Sequence, residues 1–306
     1  MILIVGASGR LGGIVARRLL ADGKPVRAMS RTPANLSELQ RLGAEVVPGD
    51  QRDPQSLAAA CNGIDTVFTA SHAFNGKGDN DSRVVDDRGN RNLIDAARAA
   101  GVRLVVYTSI LGARPNHPVD MYRYKYATEQ YLRGSGLECT ILRPAPFMET
   151  WLEILGNSVI KRGTAMVFGT GTNPINFVSV DDVASIAVRA IEDRQALGKI
   201  VEVGGPENMS QMHFVRAIQQ ATGRSVKIRH IPLPMMRIMR VATQRINPVF
   251  SRMTLAGIIM DTEDMTLDPA NMLKLFPMHL TSLKEVVARR FSATSESQPV
   301  TPERAL

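Results

Sequence analysis

Short apolar runs alternate with amphipathic stretches along the first two-thirds of the chain. Residues 1–5 (MILIV), 25–29 (PVRAM), 44–47, 65–70 (DTVFTA), 104–108 (LVVYT) and 138–143 (ECTILR) have the length and composition of strands. Between them lie helical patterns: one carrying Ile14, Val15, Leu19 and Leu20, one starting at Pro54 behind a capping Asp53, and one over 86–100 with Leu93, Ile94 and Ala97 on one face before Gly101. Thr32 is placed to cap a further turn, with Pro33 at its first position. Regular alternation of strand and helix predicts an α/β fold, a doubly wound parallel sheet of the Rossmann type with right-handed crossovers.

Farther along, 177–180 reads as a short strand and Ser179 or Asp181 as the cap of a helix through Ile191. Asp181 and Asp182 look like a carboxylate pair, but they also suit the first turn of a helix, where acidic groups favour the dipole. Residues 199–203 (KIVEV) add a strand, and 209–222 a helix with Phe214, Ile218 and Ala221 at helical spacing. These patterns divide the chain into a dinucleotide-binding domain over 1–150, a smaller and mostly helical cap and substrate region over 151–291 in which 176–203 returns to the sheet, and a disordered tail over 292–306 rich in Ser, Thr, Pro and charge.

The chemistry concentrates first at the N-terminus. Gly6, Gly9 and Gly12 follow the first strand at G-x-x-G-x-x-G spacing and open the first helix. Glycines there permit a tight turn, close approach of a phosphate to bare backbone, and packing of helix on strand; the N–H groups at the helix start then face a pyrophosphate. The loop residues Gly6, Ser8, Gly9, Arg10, Leu11 and Gly12 are therefore candidate cofactor contacts. The second strand ends in Ser30-Arg31 with no carboxylate nearby. A cation at this place meets a 2′-phosphate, so the cofactor expected is NADP (NADPH) rather than NAD, with Arg31 and Arg10 as its phosphate ligands. Asp50 stands where an adenine amino group would lie, with Gln51 beside it, or else belongs to the N-cap region of the helix that starts at Pro54. Thr69, Ala70 and Ser71 end the fourth strand with small residues, which lets ribose and pyrophosphate approach the backbone. The polar, glycine-rich stretch 74–83 (FNGKGDNDSR) has the composition of a lid loop. His72 reads as a solvated loop histidine, with an acid–base role as the sharper alternative.

At 306 residues, 44% hydrophobic and 22% charged, the chain is long enough and apolar enough for a full core. A net charge of +8 suggests anionic ligands, but the basic residues read as spread along the chain rather than blocked together, and no nucleic-acid module is visible. The two cysteines, Cys61 and Cys139, have no metal-ligand spacing and sit in apolar surroundings, as small core residues of a reducing compartment do. No metal site is expected. The initial apolar run is too short for a signal peptide and no run approaches a transmembrane length, so a cytoplasmic protein is expected.

Longer motifs carry a family resemblance: GASGRLG at 6–12, SR at 30–31, GD at 49–50, YTSILGA at 107–113, KYATEQYL at 125–132, LRPAPFME at 142–149 and FVSVDDVA at 177–184. Together they resemble the atypical, NmrA-like short-chain dehydrogenases/reductases over about residues 1–230. The resemblance implies an oxidoreductase whose usual catalytic pair is Tyr-x-x-x-Lys on a helix with a Ser or Thr at the preceding strand end. Lys125 matches the lysine, and Thr108 and Ser109 approximate the hydroxyl; four residues before Lys125, however, stands Met121, which donates no proton. Tyr122 and Tyr124 do not have the right spacing. Lys125 is thus expected to hold the nicotinamide ribose hydroxyls, or to stabilise a developing oxyanion, or both. Pro144, in the segment that lines the nicotinamide face in relatives, is expected beside the carboxamide. Phe147, Met148 and Trp151 supply apolar surface either to the cleft or to the core.

Two functional expectations follow. One is an NADPH-dependent reductase of a carbonyl or conjugated double bond in an apolar small molecule. The other is a non-catalytic NADP(H)-sensing regulator or assembly factor. Residues 231–278 hold eight of the fifteen methionines interleaved with Arg237, Arg240, Arg245 and Arg252, and read as a substrate cap, a surface for a protein partner or a membrane, or plain core. Pro232, Pro234 and Pro248 break this stretch into short helices, which argues against one long amphipathic membrane helix, and a cap over the substrate cleft with a pliable apolar lining is expected.

Overall fold

The computed structural model describes residues 1–295. Its centre is a seven-stranded, wholly parallel sheet built from β1 (Ile2–Val5), β2 (Val26–Ser30), β3 (Glu45–Pro48), β4 (Thr66–Thr69), β5 (Leu104–Thr108), β6 (Glu138–Pro144) and, much later in the chain, β9 (Ile200–Val203), in the order β3-β2-β1-β4-β5-β6-β9. The order reverses between β1 and β4, and a cleft for a ligand opens beyond the carboxyl ends of the strands at such a reversal.

Side chains alternate between the two faces with the strand period of two. Ile4, Ala28, Phe68, Val106 and Leu142 enter one core, which α1 (Arg10–Ala21) and α7 (Val180–Glu192) cover through Val15, Leu19, Val183 and Ala187. Leu3, Val67, Val105 and Ile141 enter the other, covered by α3 (Pro54–Cys61), α4 (Asn90–Ala99) and α5 (Asp120–Arg133). Cys61 and Cys139 are buried there as free thiols, and burial pushes the Cys61 thiol up to about 11. A short α2 (Ser37–Arg41) joins β2 to β3.

A third core belongs to the cap. It is formed by α6 (Met148–Arg162), β7 (Thr164–Phe168) paired in parallel with β11 (Lys227–Ile231), β8 (Ile175–Asn176) antiparallel to β10 (Asn208–Met209), α8 (Gln211–Thr222), and α12 (Leu283–Ser295). Trp151 lies in this core, edge-on to Phe168 and Phe177 with ring centroids 6.3 and 6.0 Å away, and Met148 is fully buried; both serve packing rather than the cleft. The methionine-rich stretch forms a hairpin of α9 (Leu233–Thr243) and α10 (Pro248–Thr262). After it, α11 (Ala270–Leu275) and the chain to Leu280 return to the main domain, where Met272, Phe276 and Leu280 complete the core under α7. That return, additional to 176–203, is made by Met272 on α11, Phe276 at its C-cap and Leu280 in the extended chain beyond.

Several local expectations are corrected. The strand expected at 177–180 is instead β8 at Ile175–Asn176, and Val178 only bridges Phe147. Thr32 does not cap with its side chain; Ser30 Oγ accepts from the Thr32 N–H at 3.1 Å, and Pro33 opens a single 3-10 turn. The helix expected from 86 begins earlier, as a π-helical stretch Arg83–Gly89 that runs into α4. Of the tail expected over 292–306, residues up to Ser295 continue α12 and the remainder lies outside the described residues. The basic residues are not spread evenly: residues 208–260 carry eight Lys and Arg and no Asp or Glu, so the rest of the chain, with 29 of each sign, is neutral. Asp53 and Ser179 cap as expected, accepting from the N–H groups of Gln55 and Asp181. Asp181 pairs with Arg18 and Arg289, and Asp182 accepts from the Thr281 N–H and hydroxyl at 2.7 Å each, so this carboxylate pair is structural.

Candidate functional site

The glycine loop has the shape its spacing implies. Gly6 has φ +86°, a conformation that disfavours any side chain, and the Gly9 N–H closes the turn on Gly6 O at 2.9 Å. A Cβ on Gly12 would lie 2.3 Å from Gly6 O, and one on Gly6 3.0 Å from the Ser71 backbone nitrogen, so helix, turn and neighbouring strand end close on each other only with bare backbone. Gly9 is the N-cap of α1. No side chain caps it and no acidic residue stands in the first turn, so the positive end of a twelve-residue helix is left open to an anion. Ser8 and Arg10 are exposed at this rim, whereas the Leu11 side chain turns into the core and leaves only its backbone for a ligand.

At the adenosine end, Arg31 donates to Asn80 Oδ1 at 2.6 Å. Asp50 accepts from Arg52 Nε at 3.0 Å on both oxygens, and Arg52 also reaches Asp79 O at 3.2 Å. Hydrogen bonding to Arg52, aided by the charge of Arg31, holds the Asp50 carboxyl below its usual range. Two guanidiniums therefore converge here; the second, Arg52, escaped the sequence reading because it follows Asp50 in an ordinary-looking turn. Gln51 turns inward and donates to Asn90 Oδ1 at 3.1 Å. Arg10 bridges the cleft to α6, pairing with Glu153 and reaching Thr150 Oγ1 at 3.5 Å.

The centre of the site is a buried ion pair. Lys125 (3% exposed) lies 3.2 Å from Oδ1 of Asp86 (0% exposed) and donates to Ser71 O at 3.0 Å and Thr108 O at 3.1 Å. The ammonium thus ties the ends of β4 and β5 to the π-helical stretch and sits 5.0 Å above the Tyr107 ring. Asp86 Oδ2 accepts from the Ala73 N–H at 3.0 Å. Asp86 was missed as a site residue, though its signal was present: Ser82, Asp86 and Asn90 form a buried polar row at i, i+4, i+8 on a helix whose core face should be apolar. Asn90 receives Thr69 Oγ1 at 3.4 Å, and Thr69 Oγ1 lies 3.3 Å from Ser71 Oγ. Ala70 is half-buried between them.

Ser109 is not beside the Lys125 ammonium in hydrogen bonding. Its hydroxyl donates to the buried Glu129, which Arg143 holds through Nε at 2.9 Å and Nη2 at 2.6 Å. Thr108 Oγ1 is buried without a hydrogen-bond partner among the described residues. Pro144 O accepts from the Leu111 N–H at 3.0 Å. His72 stands exposed at the rim. Met121, one turn before Lys125, packs with Val119 and Ile259 in an apolar cluster shared with α10. From α10, Arg252 pairs with Asp120 at 2.9 Å and donates to Phe74 O at 2.8 Å, locking the hairpin onto α5 and onto the 71–83 loop. A groove of about 310 Å³ remains between the start of α5 and the hairpin, lined in part by Asp120, Arg123, Arg240 and Arg252.

A parallel sheet with an open helix N-terminus, a glycine turn sealed against the next strand end and a lysine-clamped strand pair defines a Rossmann-type dinucleotide-binding protein. Residues 1–285 match the family model described as the NmrA-like family, and the chain belongs to that family. Among curated relatives, it is 29% identical over 300 residues to the photosystem II assembly factor Ycf39 of a Synechocystis species, covering 95% of this chain and 90% of that one. It is 30% identical over 229 residues to the NAD(P)H azoreductase of Xenophilus azovorans, covering 74% and 76%. Among solved structures, the Escherichia coli NADPH-dependent quinone oxidoreductase in complex with NADPH superposes with a TM-score of 0.80 at 24% identity, over 95% of this chain and all of that one. No helix among the described residues is long and apolar enough to cross a membrane.

Proposed function

We propose that the protein is an NADPH-dependent reductase of acceptors whose reduced form carries a delocalised negative charge, such as quinones, azo compounds and conjugated enones. The observation that carries this reading is the engagement of Lys125: its ammonium is spent on Asp86, Ser71 O and Thr108 O, and the residue one turn before it is Met121. Neither group hands a proton to an alkoxide. A simple ketone needs that proton as it is reduced, because its product oxyanion is strongly basic. A quinone gives a delocalised, weakly basic phenolate-type anion that takes its proton from water, and an azo compound fits where it accepts a proton from water before or as the hydride arrives.

The pyrophosphate would lie on the uncapped start of α1, against the backbone of Gly6, Ser8, Gly9, Leu11 and Gly12. Arg31 and Arg52, at the ends of β2 and β3, suit a 2′-phosphate, and Arg10 reaches the same rim once it leaves Glu153. Asp50 would border the adenine, with Gln51 contributing only backbone because its side chain is buried on Asn90, and Thr69, Ala70 and Ser71 would border the central part of the cofactor. The bound nicotinamide supplies a hydride. Lys125 holds Ser71 and Thr108 at a fixed separation, the Lys125–Asp86 pair keeps these strand ends rigid and free of a competing proton donor, and Pro144 would stiffen the segment beside the nicotinamide. The groove beside the α9–α10 hairpin, with Arg123, Arg240 and Arg252 in its lining, would admit a small acceptor that carries polar or anionic groups.

The test is anaerobic incubation with NADPH and a panel of quinones, azo dyes, enones and unactivated ketones, followed by cofactor absorbance. Turnover of the first three and none of the unactivated ketones is expected. Turnover of unactivated ketones at comparable rates would overturn the acceptor class.

A second reading has its own support, in Met121 and in the likeness to Ycf39 over 95% of this chain: a non-catalytic NADPH-binding assembly factor or regulator whose partner binds the 231–278 segment. NADPH binding with no oxidation by any acceptor, together with NADPH-dependent capture of a protein partner, would establish it in place of the reductase.

A further inference from the structure

The whole net charge of the chain sits in one segment, and that segment presents apolar side chains to solvent. Residues 208–260 hold eight basic and no acidic residues. Within them the α9–α10 hairpin exposes Ile238 (70%), Val241 (71%) and Ile246 (86%), with Met235, Phe250 and Met253 also open. Ile246 lies in the turn between the helices, which makes the hairpin tip apolar. Arg237 and Arg245 stand exposed among these residues and make no ion pair with any described residue, unlike Arg252 at the base of the hairpin, which is paired with Asp120. Core packing accounts for Met236, Ile258, Ile259 and Met260, on the side of the hairpin that faces the protein. It does not account for the outward side.

We propose that the tip and outward face of the α9–α10 hairpin dock on an anionic lipid surface, the aliphatic side chains entering the headgroup–acyl boundary and Arg237 and Arg245 meeting lipid phosphates. Charge selects this occupant. A second copy of the chain would bring the unpaired Arg237 and Arg245 of one hairpin against those of the other, which repel. A neutral apolar partner would leave the guanidiniums unpaired at the contact. An anionic bilayer satisfies both components: it is fluid enough to receive a convex tip, and its surface potential attracts each added cation. Two short helices joined by a turn lie in such an interface without spanning it. The inference does not depend on the redox reading, since no residue of the cofactor cleft takes part.

Flotation of the full chain with vesicles of phosphatidylcholine alone, or with about one-third phosphatidylglycerol, tests it. At least about a tenfold excess of bound protein on the anionic vesicles is expected. Arg237→Gln/Arg245→Gln and, separately, Ile238→Asn/Ile246→Asn should each lower that binding about tenfold while NADPH titration stays unchanged. A Phe250→Trp variant, read against the single buried Trp151, should shift its emission to the blue on anionic vesicles and be quenched by brominated acyl chains. Equal, weak binding to both vesicle types would overturn the proposal. So would binding that survives the Ile variant with Phe250→Trp unquenched, which is mere surface adsorption. A lipid-free dimer dissolved by the Ile variant would instead assign the face to a second copy, and saturable lipid-independent binding of a purified acidic protein would assign it to that protein class.

Discussion

Asp86 and Lys125 form an ion pair 3.2 Å apart with both side chains withdrawn from solvent, and each also fixes a different strand-end backbone group: Asp86 the Ala73 N–H, Lys125 the carbonyls of Ser71 and Thr108. Removing one partner leaves a buried charge uncompensated. Asp86→Asn is therefore expected to destabilise the protein by about 3–5 kcal/mol, whereas Asp86→Asn combined with Lys125→Met should cost clearly less than the two single changes together. Denaturant melts of the four proteins measure the coupling; strict additivity would mean the pair does not interact.

The adenosine end gives a cofactor prediction. Arg31→Asp should weaken NADPH far more than NADH, and Arg52→Ala should do the same to a smaller degree while also releasing Asp50. Fluorescence titration with both nucleotides decides this. Equal losses for the two would remove the 2′-phosphate assignment.

Gly12 offers a steric prediction. The Cβ added in Gly12→Ala would lie 2.3 Å from Gly6 O, and the atom it meets is backbone, not a flexible side-chain end. The turn must open, so nucleotide affinity should fall by at least about tenfold and the melting temperature should drop as well. Unchanged NADPH binding in this variant would show that the turn has slack.

His117 carries a pH prediction. Burial and the nearby Arg114 hold its imidazolium below the ordinary value of 6.5, while the neutral ring stacks on Tyr122 at 3.9 Å and accepts the Val119 N–H at 3.1 Å. The unfolded chain then binds the proton more readily than the folded one. Its stabilising contribution is full above pH 6.5 and is lost as pH falls toward the depressed folded value. The stability difference between wild type and His117→Asn should accordingly be largest at pH 7–8 and shrink toward pH 5 in paired thermal melts. A constant difference would refute the linkage.

The sheet was legible because parallel strands buried on both faces must be short and apolar, and β5 at Leu104–Thr108 matches its expected limits. The glycine turn was legible because its residues are chosen for what they lack. The core of the site was legible only in part. Lys125 stood out by motif, but its partner Asp86 lies on a different element, and sequence spacing carries no information about which side chain meets which across elements. The Ser109–Glu129–Arg143 chain was hidden for the same reason. The charge of 208–260 was readable from the sequence throughout, yet a search for runs of basic residues overlooks a segment defined by missing acids.

The π-helical stretch Arg83–Gly89 has a consequence of another kind. A π turn holds one residue more than an α turn, so the number of residues in the stretch sets the angle between two fixed points at its ends. One is Ser82, whose hydroxyl donates to Ala73 O; the other is Asn90, which receives Gln51 and Thr69. The number of residues between them is itself a determinant of the site. Deleting Gly89, which contributes no side chain, would turn one point against the other by about 100° and draw Asp86 off Lys125 with every functional group still encoded. Chain length here does the work usually ascribed to residue identity, and a scan made only of substitutions would never register it.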